Sequence, residues 1–275
     1  MLKKVFATVV TFNGGEGIRD TVLALHNVVD YIYIVDNCSD FETKKILLEF
    51  DGFETVGVCF LEDNVGIGAA LNVALTKAKE LGFEWFLSMD QDSVFRPGFL
   101  ESFSDFVKNN PKALIMSPAI NSNFSMKNEF RTVEYAITSG NLVHMSVFEK
   151  IGNYNEWFFI DGVDFEFSLR ARQSGIDIYC IAGALLDHKL GDGTVKYFKR
   201  FHTYHSPLRR YYIFRNHFYL FKLFFKYYPF LLTKMSVSRF IYILTIVVFG
   251  KERFSSLGRI FLGVSHFFIG KVGKL

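Results

Sequence analysis

This chain of 275 residues has only three cysteines, and Cys38, Cys59 and Cys180 are scattered, odd in number and without metal-ligand spacing. That speaks against a disulfide framework and a thiolate metal site, and reduced thiols in a cytosolic setting are expected. There is no dinucleotide fingerprint. Gly14, Gly15 and Gly17 do not give G-x-G-x-x-G, and no Lys-Ser/Thr follows to cradle a phosphate. An NAD enzyme and a P-loop kinase are disfavoured on that ground. Met1-Leu2-Lys3-Lys4 leads straight into the apolar run Val5 to Phe12, which is too short and too poorly flanked for a secretory signal. The uninterrupted apolar part of the tail, Phe240–Gly250, falls short of the about 20 residues needed to cross a bilayer. No internal repeat or low-complexity segment is present. Acidic residues are nearly missing from the last third. Residues 189–275 hold 16 Lys/Arg against only Asp192 and Glu252, a balance of +14, whereas residues 1–188 hold 15 Lys/Arg and 26 Asp/Glu, a balance of −11. A basic tail on an acidic body implies an anionic partner for the tail.

Half of the chain is hydrophobic, and 33 Phe and 13 Tyr make an unusual aromatic load, so a substantial core is expected. Apolar strand-like runs alternate with amphipathic helix-like runs in the first half. The patterning predicts strands at Val5–Phe12, Tyr31–Asp36, Val56–Leu61, Trp85–Met89 and Ala113–Ser117, and helices at Ile18–Asn27, Thr43–Phe50, Ile67–Leu81 and Phe99–Asn109. Such alternation argues for an α/β fold with a doubly wound, mostly parallel sheet and ligands at the carboxyl ends of its strands.

The polar residues worth naming sit at those ends: Thr11-Phe12-Asn13, Asp36-Asn37, Asn64 with Gly66 and Gly68, and Asp90-Gln91-Asp92. Any one of these could be ordinary turn chemistry; four converging on one sheet edge make a site. Side chains alternate along an extended chain, so Asp90 and Asp92 point the same way and Gln91 the other. Two like charges side by side repel, and a hard cation such as Mg²⁺ or Mn²⁺ removes the repulsion. Asp36-Asn37 could bind a nucleobase or ribose, Gly66 and Gly68 would allow close backbone approach to a ligand, and Asn72 would face the same cleft.

After Pro118 the rhythm breaks. Glu129 to Ile137 and Leu142–His144, either side of the turn Ser139-Gly140-Asn141, are expected as a strand pair covering the acceptor side. Aromatics then run into Asp161, Asp164 and Glu166 at a helix start, where one acid can cap the helix and another can serve as a general base. His188 follows a short strand expected at Ile178–Ile181 and is a candidate third metal ligand, with a structural role as its alternative.

From residue 205 the chain interleaves cations with aromatics. His205 to Tyr228, Phe230 to Phe249 and Leu257–Ile269 look like amphipathic helices in a membrane interface, their cations meeting anionic headgroups. A helical bundle packed on the catalytic domain, or a dimer interface through these helices, is the alternative. No nucleic-acid recognition motif accompanies the basic-aromatic mixture, so no nucleic-acid partner is expected.

The order of these motifs resembles the bacterial family 2 glycosyltransferases, inverting enzymes with a GT-A fold that use nucleotide sugars, and within them the rhamnosyltransferase branch. The matching pieces are Val10-Thr11-Phe12-Asn13, Val35-Asp36-Asn37-Cys38-Ser39, Asn64 to Asn72, Met89-Asp90-Gln91-Asp92-Ser93, Thr138-Ser139-Gly140, Phe159 to Glu166, His205 to Tyr212 and Arg215-Asn216. They cover roughly residues 5–220 on motif spacing. The resemblance implies a GT-A catalytic domain at 1–200 and a helical, membrane-associating region at 201–275. It implies that Thr11, Asn13 and Asp36 hold base and ribose, that Asn64, Gly66 and Asn72 line the nucleotide-sugar cleft, that Phe12, Asn37, Asp90, Gln91, Ser139 and Gly140 also bind substrate, and that Asp90 and Asp92 hold Mg²⁺ or Mn²⁺ with His188 as third ligand. Asp164 would be the base. Many relatives read Glu-Asp where this chain has Val163-Asp164, which leaves Asp161 and Glu166 as rivals. The implied activity is transfer of a sugar, L-rhamnose from dTDP-L-rhamnose, to a lipid-linked saccharide. The expected location is the cytoplasmic face of the cell membrane, with the inner leaflet as partner of residues 205–270. A sugar-nucleotide nucleotidyltransferase would want a basic, Gly-rich loop near the N-terminus, where Asn13–Asp20 offers only Arg19; a non-catalytic membrane scaffold would not need the acids at 90, 92 and 164.

Overall fold

The computed structural model describes residues 2, 4–120, 129–188, 194–197, 200–203, 205–250 and 252–275, with only the backbone course at 194–197 and 200–203. The chain separates into two compact units, Met1–Asn155 with Phe167–Lys189, and Glu156–Glu166 with Leu190–Leu275. The units interleave along the chain, whereas the expected boundary near residue 200 is a single cut.

The first unit opens with β1 (Val5–Thr11), α1 (Gly17–Leu25), β2 (Tyr31–Asp36), α2 (Phe41–Leu48), β3 (Val56–Phe60), α3 (Ile67–Glu80) and β4 (Trp85–Asp90). These lie within two residues of the predicted ends because each apolar run is closed by turn or cap chemistry: Asp40, for example, accepts from Thr43 N at 2.9 Å to start α2. Next come β5 (Ser93–Phe95), α4 (Phe99–Asn109), β6 (Ile115–Ile120), β7 (Phe130–Val133), β8 (Asn141–His144), α5 (Met145–Ile151), α6 (Val163–Gln173, whose first turn belongs to the second unit) and β9 (Ile178–His188). One nine-stranded sheet has the order β3-β2-β1-β4-β8-β6-β9-β5, with β7 also paired to β9. β1, β2, β3, β4, β6 and β9 run one way, and β5, β7 and β8 the other. The sheet is mixed and mostly parallel.

Phe86, Leu87 and Met89 of β4 are fully buried, as are Val5, Ala7 and Val9 of β1. Burial contributes about 1.5–3 kcal/mol for each of the larger side chains, so the site edge is carried on deeply buried strands.

Two expectations are corrected here. The segments around residues 130 and 142 do not pair with each other. β8 inserts between β4 and β6, antiparallel to both, because Leu142 and Val143 are apolar on both faces and fully buried; β7 pairs with β9 instead. The strand expected at Ile178–Ile181 runs on to His188, since β5 and β7 both give it ladder partners. His188 therefore ends a strand and does not follow one.

The second unit has a 3-10 turn at Glu156–Phe158, a hairpin of β10 (Thr194–Tyr197) and β11 (Arg200–Thr203), then α7 (Pro207–Phe224), α8 (Pro229–Phe249) and α9 (Arg253–Phe268). α7 packs along α9, and Ile213, Phe214, Ile246 and Ile260 form their common core with α8. The middle of α7 is not an amphipathic stripe of the kind expected for His205 to Tyr228. Every residue from Arg210 to His217 is buried, and a stretch of two turns buried all round has no polar face to give to water. α8 and α9 differ: Phe230 is 83% exposed, Phe261 74% and Phe268 75%. The apolar run in α8 is short, but the helix that holds it has 21 residues, long and apolar enough by length and composition to cross a membrane, and only 17% of its most apolar window is buried.

Candidate active site

The parallel strands bring their carboxyl ends to one edge. Thr11 is registered against Asp36, and Val10 against Asp90. Asp36 is fully buried, and both of its carboxylate oxygens accept from Ser39 N at 3.2 Å. Asn37 Oδ1 accepts from Val65 N at 2.9 Å, and Asn64 Oδ1 from Gly66 N at 3.0 Å, which ties the second and third loops together at the start of α3. Asn13 sits at φ 52°, a region Asn tolerates; its N–H donates to Ser39 Oγ at 2.8 Å and its Oδ1 accepts from Asp40 N at 2.8 Å. Phe12, 46% exposed, projects from the same loop.

Gln91 joins the first and fourth loops. Its Oε1 accepts from Thr11 Oγ1 at 2.9 Å and from Phe12 N at 2.8 Å. A Cβ on Gly14 would come within 2.7 Å of that oxygen and 2.8 Å of Thr11 Oγ1, so a larger residue there would disturb this bond. Gly140 has φ +78° and a Cβ there would meet Pro118 Cγ at 2.6 Å, so both space and backbone demand glycine. Its N–H donates to Ser88 O at 2.7 Å, while Ser139 Oγ accepts from Asp90 N at 3.2 Å. Asn72 makes a two-point bond to the backbone of Tyr154: Nδ2 donates to its carbonyl at 2.9 Å and Oδ1 accepts from its N–H at 3.0 Å. That is a fastening within the fold, a role its place in the sequence did not suggest.

Asp90, Asp92 and His188 come together with one potential ligand atom each, all within 4.8 Å of one another. The cause is strand register. Ser93 pairs with His188 across β5 and β9, and Ser93 Oγ and His188 Nδ1 are 2.6 Å apart. Arg96 then clasps Asp187 with two bonds of 2.9 and 2.7 Å. Ser93, Arg96 and Asp187 thus hold the histidine beside the two acids. Sequence reasoning missed all three as site-builders; Ser93 lay within the quoted motif, whereas the Arg96–Asp187 pair left no local signal. Burial lowers the His188 pKa, with the Asp92 charge working the other way, so the imidazole is neutral near pH 7, the form that binds a metal. Two carboxylates and a neutral imidazole suit Mn²⁺ or Mg²⁺ as a donor set.

The three candidate bases lie in the second unit and their surroundings separate them. Asp161, at φ 60°, is held by Arg209 through bonds of 3.1 to 3.2 Å. Glu166 is buried. Asp164 occupies the first turn of α6, where its Oδ1 accepts from Phe165 N at 2.9 Å.

The model of glycosyl transferase family 2 matches residues 7–168. The chain belongs to that family. It is 30% identical over 243 residues to the "dTDP-rhamnosyl transferase RfbF" of Shigella flexneri, covering 80% of both chains. It is 31% identical over 113 residues to the "Putative teichuronic acid biosynthesis glycosyltransferase TuaG" of Bacillus subtilis (strain 168), covering 38% of this chain and 42% of that one. Among solved structures, GalNAc-T7 with UDP, GalNAc and Mn²⁺ superposes with a TM-score of 0.65 at 14% identity, over 83% of this chain and about half (49%) of that one, which speaks for the GT-A fold. This family 2 chain is a glycosyltransferase of that fold.

Proposed function

We propose that this glycosyltransferase inverts the anomeric centre of L-rhamnose as it moves the sugar from dTDP-L-rhamnose to a lipid-linked saccharide for cell-surface polysaccharide. The convergence of Asp90, Asp92 and His188 on the sheet edge that also carries Thr11, Asp36 and the Asn64 loop is the observation that carries the reading. The donor rests on the 30% identical relative named as a dTDP-rhamnosyl transferase. Asp90, Asp92 and His188 are the residues that would hold Mg²⁺ or Mn²⁺. The cation, when bound, supplies Lewis-acid neutralisation of the departing diphosphate.

The chain's own residues do the rest. The Asp36 and Asn37 loop orients the nucleoside, and Gln91 keeps the first and fourth loops at a fixed distance. Asp164 accepts the proton of the acceptor hydroxyl as its oxygen bonds to the anomeric carbon, and the bond from that carbon to the diphosphate breaks. Asp164 is taken as the base on its place in the family motif; of its rivals, Asp161 is held by Arg209 and Glu166 is buried. We place the enzyme at the cytoplasmic face of the membrane, with the exposed phenylalanines of α8 and α9 among basic residues lying in the interface.

The test is turnover and calorimetry with a panel of nucleotide sugars, each with Mn²⁺ and with EDTA. Expected is Mn²⁺-dependent hydrolysis or transfer with dTDP-L-rhamnose above the UDP sugars. Preference for a UDP sugar would overturn the donor, and no metal-dependent binding of any nucleoside diphosphate would overturn the whole reading.

A further inference from the structure

Arg215 is the largest fully buried side chain among the described residues, and none of their carboxylates pairs with it. Its partners are carbonyl oxygens and rings. Nη1 donates to Gly273 O at 2.7 Å, Nη2 to Trp157 O at 3.1 Å and Phe158 O at 3.4 Å, and the guanidinium lies 5.3 and 5.1 Å from the ring centres of Tyr211 and Tyr212. Its Nε donates to Asn216 Oδ1 at 3.0 Å. That bond orients the Asn216 amide, whose Nδ2 meets three carbonyls of one loop: Phe158 O at 2.7 Å, Ile160 O at 2.8 Å and Asp161 O at 2.6 Å.

The loop needs such fastening. Phe159 and Asp161 have φ of 58° and 60°, followed by Gly162 at 98°. Two left-handed side-chain-bearing residues so close together persist only where the surroundings over-determine them. A buried charge met only by neutral oxygens and aromatic rings is an expensive device, and burial of that kind is retained where position matters. The loop's last carbonyl, Gly162 O, accepts from Glu166 N at 2.9 Å, so the loop sets the first turn of α6, the turn that carries Asp164.

We propose that Arg215 and Asn216 are positioning residues of the transfer reaction, which fix the Trp157–Gly162 loop and through it the Asp164 carboxylate; this rests on the reading of Asp164 as base. Both act through the loop. Arg215 sets the amide, the amide gathers the carbonyls, and the gathered loop sets the helix start. Asp in place of Asn216 keeps the shape but turns a carboxylate oxygen towards three carbonyls. Lys in place of Arg215 keeps the charge but loses the fork that reaches Trp157, Gly273 and Asn216 together.

The experiment uses the full chain with Mn²⁺ and dTDP-L-rhamnose, water being the acceptor, and follows kcat and KM for hydrolysis together with calorimetric binding of dTDP and Mn²⁺. Asn216→Asp and Arg215→Lys are expected to lower kcat about a hundredfold, with KM and dTDP affinity unchanged. Asn216→Ala is expected to lose a similar factor, and adding Phe159→Gly, which lifts the left-handed penalty, to restore about tenfold of it. Asp164→Asn is the reference. If it is inactive while Asn216→Asp turns over normally, the positioning role is overturned and the base reading stands. If Asp164→Asn turns over normally, the base reading falls and takes this proposal with it. If Asn216→Asp fails to fold, the pair Asn216→Ala and Asn216→Ala/Phe159→Gly decides, and no recovery in the double variant overturns the proposal.

Discussion

Asp92→Asn should make the cation-free protein more stable and the enzyme inactive. The ligand atoms of Asp90, Asp92 and His188 lie within 4.8 Å of one another, and the Asp90 side chain is 32% exposed. At that separation two unit charges repel by roughly 3.5 kcal/mol at an effective dielectric constant of about 20 and roughly 0.9 at about 80. Partial exposure of Asp90 puts the value near the lower end, about 1 kcal/mol. Removing one charge removes that repulsion, and for a chain of this size about 1 kcal/mol is about 2–4 °C in Tm. With Mn²⁺ and dTDP present the order reverses. A ligand set at about a hundred times its Kd stabilises the wild type by about 2.7 kcal/mol, and the variant gains little. Turnover should fall by about a hundredfold or more, because the leaving charge loses its partner. Thermal unfolding in EDTA and in Mn²⁺ with dTDP, beside hydrolysis of dTDP-L-rhamnose, measures all three. A variant that melts lower in EDTA, or keeps its Mn²⁺ shift and its turnover, would refute the reasoning.

Other outcomes follow from the same structure. Asp164→Asn should cost about 10²–10⁴ in kcat with donor binding kept, whereas Asp161→Asn should keep most of its kcat but lose about 1 kcal/mol of stability, since the bonds from Arg209 to this carboxylate lose their charge; steady-state kinetics and urea unfolding separate them. Burial, with Arg239 adding to it, pushes His217 down to about 4. Its folded pKa lies below the unfolded value, so the unfolded chain takes up the proton first. Stability is full above about pH 6.5, falls as pH drops towards 4 and levels off below, by about 3 kcal/mol at most. His217→Gln should flatten that part of a denaturation-versus-pH curve, and an unchanged curve would remove His217 as its source. Replacing Phe230, Phe261 and Phe268 together by Ser should release the protein from anionic vesicles in a flotation assay while leaving dTDP binding intact; equal flotation would argue against α8 and α9 as the contact.

Much of the first unit was legible from local pattern. Strand and helix periods differ, so β1 to α3 could be placed within a residue or two. Asp90 and Asp92 do meet, but the extended chain expected through them stops at Asp90, and the turn at Gln91-Asp92 between β4 and β5 brings the two acids together. The Thr11, Asp36 and Asn64 loops could be named because Gly, Asn and Asp mark where apolar runs stop. The insertion of β8 between β4 and β6 could not be read, because a short buried strand has no feature that chooses its neighbours. Nor could the bond from Asn72 to Tyr154, the clasp of Arg96 on Asp187, or the burial of the middle of α7 with Arg210 and Arg215 in it.

Sequence alone determined the alternation of elements, the positions of the acids and the switch from an acidic body to a basic, aromatic tail. These depend on composition and on spacing over a few residues, where chain geometry leaves little choice. Tertiary structure decided that His188 joins Asp90 and Asp92, that Arg209 holds Asp161, and that Arg215 and Asn216 grip the loop before α6. Each of these joins residues far apart in the chain, and strand register and helix packing, set by the burial of whole faces, settle which distant groups meet.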